Sequence, residues 1–311
     1  MSEKIRIVIA GIGGVGGFFG GLLAKKYEDS NEIDIVFLAR GNHLSQIQQN
    51  GLKVINKVGD DFIAKPYLAT DNAGEIGKAE VILVCTKGYD LENTIEQLKP
   101  CMTNQTMILP LLNGVDGFEI IQKLMPNATV LQGCVYIASR IKEAGVIEND
   151  GQFQRLFFGL ENQSNNHFEW LEKVFKDANM DATLSSKITS IVWEKFIFIS
   201  PIATATSYFD SFFGELVREH EDTVFQLITE VVNIAKAKGI DTPLNIIEKT
   251  MTRLKSLPAE NTTSMHRDFL EKPQNELSAL TGYIVQAGKE LSAETPTYSF
   301  MYQQLLDRKS R

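Results

Sequence analysis

The chain has 311 residues and a formal net charge of −8, with 43% hydrophobic and 23% charged residues. That length points to two domains, each large enough to bury an apolar core without disulfides or structural metal. The composition excludes disordered and collagen-like chains. The acidic balance lacks the broad basic field that a nucleic-acid backbone requires.

Residues 5–10, IRIVIA, are a β-branched run ending in glycines, and Val15–Lys26 continues as a helix. Residues 7–24 carry no charge over 18 positions, close to the length of a membrane helix, but seven are glycine, and no leader pattern precedes them. A membrane or targeting role is therefore not expected. A second strand at 33–39 stops at Arg40-Gly41-Asn42, and shorter strands at 52–56 and 61–69 flank Gly59-Asp60 as a candidate hairpin. VILVCTK at 81–87 is an unbroken apolar run, expected of a strand buried on both faces. Strands at 106–113, 129–139 and 153–159 follow, alternating with helical stretches at 88–98, 114–124 and 166–178. This alternation implies βαβ units and a parallel sheet with helices on both faces.

Strand-like runs nearly vanish after residue 186, and 3.6-period stretches take over at 187–207, 214–238, 243–256, 274–291 and 296–308. Leu277, Leu280, Ile284 and Leu291 form one apolar stripe, with Pro273 where a first helical turn accepts proline. The expected fold is α/β, with a Rossmann-type doubly wound parallel sheet over 1–186 followed by an all-α helical domain over 187–311.

Gly11-Ile12-Gly13-Gly14-Val15-Gly16 matches G-x-G-x-x-G between a strand and a helix. Gly11 suits a tight turn, Gly13 the close approach of a pyrophosphate, and Gly16 close helix–strand packing, while the helix N-terminus offers free N–H groups to the phosphates. These six residues are the candidate dinucleotide loop. An NAD site usually carries an acid at the tip of the second strand, but here that strand ends Phe37-Leu38-Ala39-Arg40, and Asp34 comes too early. A guanidinium at Arg40 can bind a 2′-phosphate bidentately, so the choice leans to NADP(H). A solvated strand-end charge is the competing account of Arg40.

Cys85, Cys101 and Cys134 show no CxxC spacing, and the four histidines form no HExxH pair. Reduced thiols in a cytoplasm and no metal are expected.

Several short motifs, in order, resemble the ketopantoate reductase (2-dehydropantoate 2-reductase) family. They are the glycine loop with its following arginine, Cys85-Thr86-Lys87, Leu112-Asn113-Gly114-Val115, Gly145-Val146-Ile147-Glu148, Trp193-Glu194-Lys195-Phe196, Thr263-Ser264-Met265 and Asn275-Glu276. The resemblance spans about residues 5 to 305. It implies NADPH-dependent reduction of ketopantoate to pantoate, a step of pantothenate and coenzyme A synthesis. Reducing a 2-keto acid builds negative charge on the carbonyl oxygen, which calls for a cation able to give up a proton. By family position, Lys195 is that general acid, with Trp193, Phe196, Ile197 and Phe198 as apolar neighbours that would favour proton release. Glu276 orients Lys195 or the substrate hydroxyl and meets the cofactor. Ser264 takes the substrate carboxylate, Asn113 bonds cofactor and substrate, and Lys87 joins the cofactor site. Snorkelling for Lys195, helix-dipole stabilisation for a surface Glu276, N-capping for Ser264 and an Asn-Gly turn at Asn113 are the bland alternatives.

The sequence departs from the family where asparagines are usual four and eight residues after the lysine. Ile199 and Ala203 stand there, and Asn149 replaces a histidine. Ser200, Thr204 and Thr206 are candidate replacements, although a helix turns Ser200 and Thr204 about 100° from that face. Two alternatives follow, a reductase of a less polar 2-keto or 3-hydroxy acid and a non-catalytic NADP(H) sensor. The expected arrangement is a cleft between the domains holding nicotinamide and a small 2-keto acid, with a homodimer by analogy.

Overall fold

The computed structural model describes residues 4–151, 153–271 and 274–309, so Pro273 lies outside the described residues. The chain forms two compact units. The first runs to Leu112 and resumes over Gly117–Ile188, and the second takes Asn113–Asp116 and the chain from Thr189 onward.

In the first unit the order is β1 (Ile5–Ala10), α1 (Gly14–Lys26), β2 (Ile33–Leu38), α2 (Gly41–Asn50), β3 (Leu52–Asn56), β4 (Phe62–Ala64) and β5 (Leu68–Thr70). Then come β6 (Val81–Val84), α3 (Leu91–Leu98), β7 (Met107–Pro110), α4 (Gly117–Leu124), β8 (Thr129–Val130) and β9 (Gln132–Tyr136). The unit closes with β10 (Ser139–Glu143), β11 (Val146–Asn149), β12 (Arg155–Gly159), α5 (Glu169–Asp177) and β13 (Asp181–Leu184).

Six strands make one parallel sheet in the order β5-β2-β1-β6-β7-β8. Successive residues feed opposite cores, as the two-residue period of a strand requires. Ile7, Ile9, Ile35, Phe37 and Leu83 pack with Phe18, Phe19 and Leu23 of α1. Val8, Ala10, Val36, Ile82 and Val84 pack with Leu91, Ile95 and Leu98 of α3 and Ile121 of α4. Phe18 and Phe19 are wholly buried, each contributing about 1.5–3 kcal/mol of burial.

A second, mixed sheet in the order β10-β11-β3-β4 lies against α1, and this accounts for the glycines of the uncharged stretch. A Cβ on Gly17 would fall 2.5 Å from Ile147, on Gly21 3.0 Å from Val54, and on Gly20 3.0 Å from Ile9. Residues 7–24 are thus a strand of the main sheet followed by a helix packed between that sheet and the second one. A third sheet is ordered β13-β12-β9.

The expected strand at 61–69 divides around Pro66. β4 pairs antiparallel with β3, as a hairpin does, while β5 joins β2 in the main sheet. The stretch 129–139 likewise divides, β8 joining the main sheet, β9 the third, and Ser139 opening β10 of the second.

The second unit contains α6 (Ile188–Phe209), α7 (Phe213–Glu219), α8 (Glu221–Ala237), α9 (Ile246–Ser256) and α10 (Ser264–Glu271). A π-helical turn (Ser278–Gly282), α11 (Tyr283–Leu291) and α12 (Pro296–Lys309) follow. The expected helix 214–238 is interrupted at His220, which belongs to neither α7 nor α8. Leu277, Leu280 and Ile284 are buried, but Leu291, the last residue of α11, is 37% exposed. Among the described residues α6 alone is long and apolar enough to cross a membrane. Its Phe196, Ile197, Ile202 and Ala205 form part of the helical unit's own core. The buried Glu230 carboxylate accepts the N–H groups of Thr297 (2.9 Å) and Tyr298 (3.0 Å), placing negative charge at the start of α12.

Candidate active site

Parallel pairing puts the carboxyl ends of β1, β2 and β6 on one edge, and the strand order reverses between β1 and β6, the switch point where open α/β sheets bind ligands. Gly11 leaves β1 at φ +94°, a left-handed conformation that favours glycine, and a Cβ there would stand 2.8 Å from the Thr86 side chain. A Cβ on Gly16 would lie 2.1 Å from the Gly11 carbonyl oxygen, and one on Gly14 would lie 2.2 Å from that of Ser139. These three positions are bare because the chain itself presses on them. Gly13 differs, since a Cβ there would meet nothing within 4 Å. It precedes α1, whose first turn has no side-chain cap and no acidic residue. The six-residue loop therefore leaves open space at Gly13, beside the uncapped first turn of α1, and Ile12 turns its side chain into the core while Val15 is half-buried. A dinucleotide pyrophosphate fits these features.

Arg40 immediately follows β2 and Ala39, and precedes α2, with its side chain 86% exposed and paired to Asp90 at 3.2 Å. Asp34 is held by Lys4 at 3.1 Å and Arg6 at 2.9 Å near the start of β2, so it serves the sheet. β6 ends at Val84, so Cys85, Thr86 and the half-buried Lys87 are loop residues and not the strand end expected for 81–87. Burial pushes the Cys85 thiol up to about 12, which keeps it protonated. Asn149 is fully buried, and its amide joins the Asn56 side chain at 3.0 Å, tying β11 to β3.

In the helical unit, Lys195 projects from α6 and its ammonium donates to Asn113 Oδ1 at 3.0 Å. Trp193, Phe196 and Ile197 point into the core, where Trp193 and Phe196 stack edge-on with centroids 5.6 Å apart. They anchor the turn bearing the lysine. Gly114 takes φ +101°, and its Cβ position lies 3.9 Å from Ala279 Cβ, so the Asn113-Gly114 turn sits against the π turn.

Glu276 lies two residues before that turn and is only 3% exposed, so a surface role at a helix start does not apply. Beside it, buried Asn275 caps Leu277 N–H through Oδ1 at 3.1 Å, while its Nδ2 has no partner among the described residues. In the sequence this amide stands out only as part of a motif, and nothing local marks it as a spare donor. Ser264 opens α10, but the capping is done by Thr263, whose hydroxyl accepts the His266 N–H at 3.3 Å. Ser264 is half-buried, with no side-chain hydrogen bond among the described residues.

The hydroxyls of Ser200, Thr204 and Thr206 are wholly buried and paired within the helical unit, so they do not stand in for the missing asparagines. Ile199 is half-buried and Ala203 is 2% exposed, leaving that side of α6 apolar.

The family model "Ketopantoate reductase PanE/ApbA" matches residues 7–163, and its C-terminal counterpart matches 187–309. The chain belongs to the ketopantoate reductase family. It is similar to the Bacillus subtilis protein named uncharacterized oxidoreductase YkpB, at 27% identity over 97% of this chain and 98% of that one. The solved 2-dehydropantoate 2-reductase of Porphyromonas gingivalis W83 superimposes with a TM-score of 0.86 at 32% identity, over 98% of this chain and 100% of that one. A ternary structure of D-mandelate dehydrogenase with NADH and anilino(oxo)acetate shares the fold, with a TM-score of 0.84 at 20% identity over 98% and 99% of the chains. As a member of the ketopantoate reductase family the protein is an oxidoreductase acting between C=O and CH–OH, with a nicotinamide cofactor and a small keto acid as the class of substrate.

Proposed function

We propose that the protein is an NADPH-dependent 2-keto acid reductase, with ketopantoate the first candidate substrate. The observation that carries this reading is the Lys195 ammonium held 3.0 Å from Asn113 Oδ1 in a chain of this family. The nicotinamide, when bound, supplies the hydride to the C2 carbonyl. Lys195 donates the proton that neutralises the developing alkoxide, and Asn113 keeps the ammonium in place. Glu276 orients Lys195 and the substrate and meets the cofactor, and Ser264, with its uncommitted hydroxyl, takes the substrate carboxylate. The loop at Gly11–Gly16 receives the pyrophosphate, with Lys87 beside it. Arg40, at the N-terminus of α2, binds the 2′-phosphate in exchange for Asp90.

A second reading is favoured by Ile199 and Ala203. A wall without amides gives little preference for a substrate hydroxyl, so a 2-keto acid lacking one becomes a competing substrate. A cytoplasmic location belongs to the same proposal, supported by three free cysteines.

The test follows the absorbance of NADPH, and of NADH, against 2-dehydropantoate, 2-oxoisovalerate and phenylglyoxylate. Highest kcat/KM with NADPH and 2-dehydropantoate is the expected result. Preference for 2-oxoisovalerate or phenylglyoxylate supports the apolar reading. Tight NADPH binding with no turnover of any acid overturns the enzyme assignment in favour of a sensor.

A further inference from the structure

The helical core contains four hydroxyls that the proposed chemistry does not use. Ser200, Thr204, Thr281 and Tyr298 are all 0% exposed. A buried hydroxyl is costly unless bonded, and alanine, valine or phenylalanine would fill much the same space without that demand. All four are bonded, and the proton directions follow from the acceptors. Ser200 Oγ lies 2.8 Å from the Leu280 carbonyl oxygen, which can only accept, so the serine proton goes there. Tyr298 Oη, 2.6 Å from Ser200 Oγ, must then be the donor of that pair. Thr204 Oγ1 donates to the Ser200 carbonyl at 2.9 Å, so Thr281 Oγ1 donates to Thr204 at 2.8 Å.

Two of these bonds leave α6 and end on the π turn, one at the Leu280 carbonyl and one at the Thr281 hydroxyl. A π turn displaces its carbonyls from the α-helical ladder and is often found at functional sites. Leu280 N–H in turn donates to the Glu276 carbonyl at 2.9 Å, so the residue gripped by Ser200 also closes the first turn after Glu276. Ser200 lies five residues beyond Lys195 on the same helix, immediately before Pro201, which lacks an N–H for the helical ladder. Tyr298 is independently fixed, because its own N–H is held by the Glu230 carboxylate. Burial pushes its phenol up, so it stays a donor throughout the working pH range.

We infer that the Tyr298–Ser200–Leu280 and Thr281–Thr204 bonds set the register between Lys195 and Glu276, making Ser200, Thr204 and Tyr298 positioning residues for the reduction. The inference rests on the roles given to Lys195 and Glu276 above.

The decisive variant is Ser200→Ala with Tyr298→Phe, which removes both hydroxyls together and orphans neither. Thr204→Val with Thr281→Val tests the second leg in the same way if the first pair folds poorly. Assays use NADPH and whichever of 2-dehydropantoate, 2-oxoisovalerate or phenylglyoxylate the parent turns over best. The expected result is a fall in kcat of about 10- to 100-fold, as small misplacement of catalytic groups gives. NADPH affinity should be unchanged, the pH–rate profile displaced, and amide exchange over residues 277–283 accelerated. Parental kcat and pH profile in both folded double variants overturn the inference, whatever the exchange shows. Glu276→Gln separates the two layers. Loss of turnover there, with parental double variants, defeats the positioning role alone, whereas full activity of Glu276→Gln defeats the reading of Glu276 and the inference with it.

Discussion

Lys195 and Asn113 meet at 3.0 Å although 82 residues separate them in the chain. If the ammonium is the proton donor, Lys195→Ala lowers kcat by about 100-fold or more, the usual contribution of a positioned acid, while NADPH affinity barely moves. Stopped-flow turnover beside fluorescence titration of NADPH checks it, and unchanged turnover removes Lys195 from the chemistry. Arg40 offers a second test at this scale. Among the described residues its one ion-pair partner is Asp90, and its side chain is 86% exposed, so Arg40→Asp should move the NADPH/NADH ratio of kcat/KM toward NADH by about tenfold or more without loss of stability. A constant ratio would mean that the guanidinium never meets a phosphate. Both residues were visible in the sequence as types at telling positions, a lysine in a W-x-K motif and an arginine at a strand tip. Their pairings were not: Asn113 was singled out by its motif for cofactor and substrate, and Asp90 not at all, because the fold and no local pattern brings them to Lys195 and Arg40. The exchange of capping duty between Ser264 and Thr263 was equally hidden, since either hydroxyl can serve a helix start.

The glycine loop and α1 form the element whose sequence was most legible, because every glycine there except Gly13 answers a steric demand of the fold. That makes two neighbours separable. Gly14→Ala pushes a Cβ against the Ser139 backbone and should destabilise the protein by about 1–3 kcal/mol, as overpacking does. Gly13→Ala meets no protein atom, so denaturation midpoints should stay parental while NADPH binding weakens by about tenfold. Equal NADPH affinity in Gly13→Ala would show that nothing approaches that backbone. Other elements were illegible for physical reasons. α2 carries only Leu44 and Ile47 as buried residues, too few to print a helical period. β10 displays Arg140, Lys142 and Glu143 to solvent at a sheet edge, so its apolar alternation is missing. α10 buries Met265 beside two polar residues, His266 and Asp268, and the π turn leaves no compositional mark at all.

At the scale of the whole molecule, acid stability reads out groups that the fold holds in one charge state. His43 accepts the Gly145 N–H at 2.9 Å through Nδ1, and burial lowers its pKa. An unfolded histidine titrates near about 6.5, so the folded chain favours the neutral ring and gains stability that is complete above that pH and lost as pH falls through the folded value. Lys57 and then Arg140 hold Asp150 below the usual carboxylate range, so its contribution is present above about pH 3.9 and disappears lower down. Urea unfolding should therefore show stability falling between about pH 7 and 5, and His43→Asn, which keeps an acceptor but cannot titrate, should flatten that limb. An identical slope in the variant would remove His43 as its source.

The alternation of apolar runs and amphipathic stretches was enough to foresee a parallel sheet followed by helices, because both sheet faces are covered and the strands read as continuous hydrophobic segments. It could not foresee that Asn113–Asp116, lying between β7 and α4, would be claimed by the helical unit. That short excursion laces the polypeptide: no single scissor point yields a self-sufficient helical fragment. A piece excised after Ile188 would carry away the lysine and forfeit the amide that steadies it.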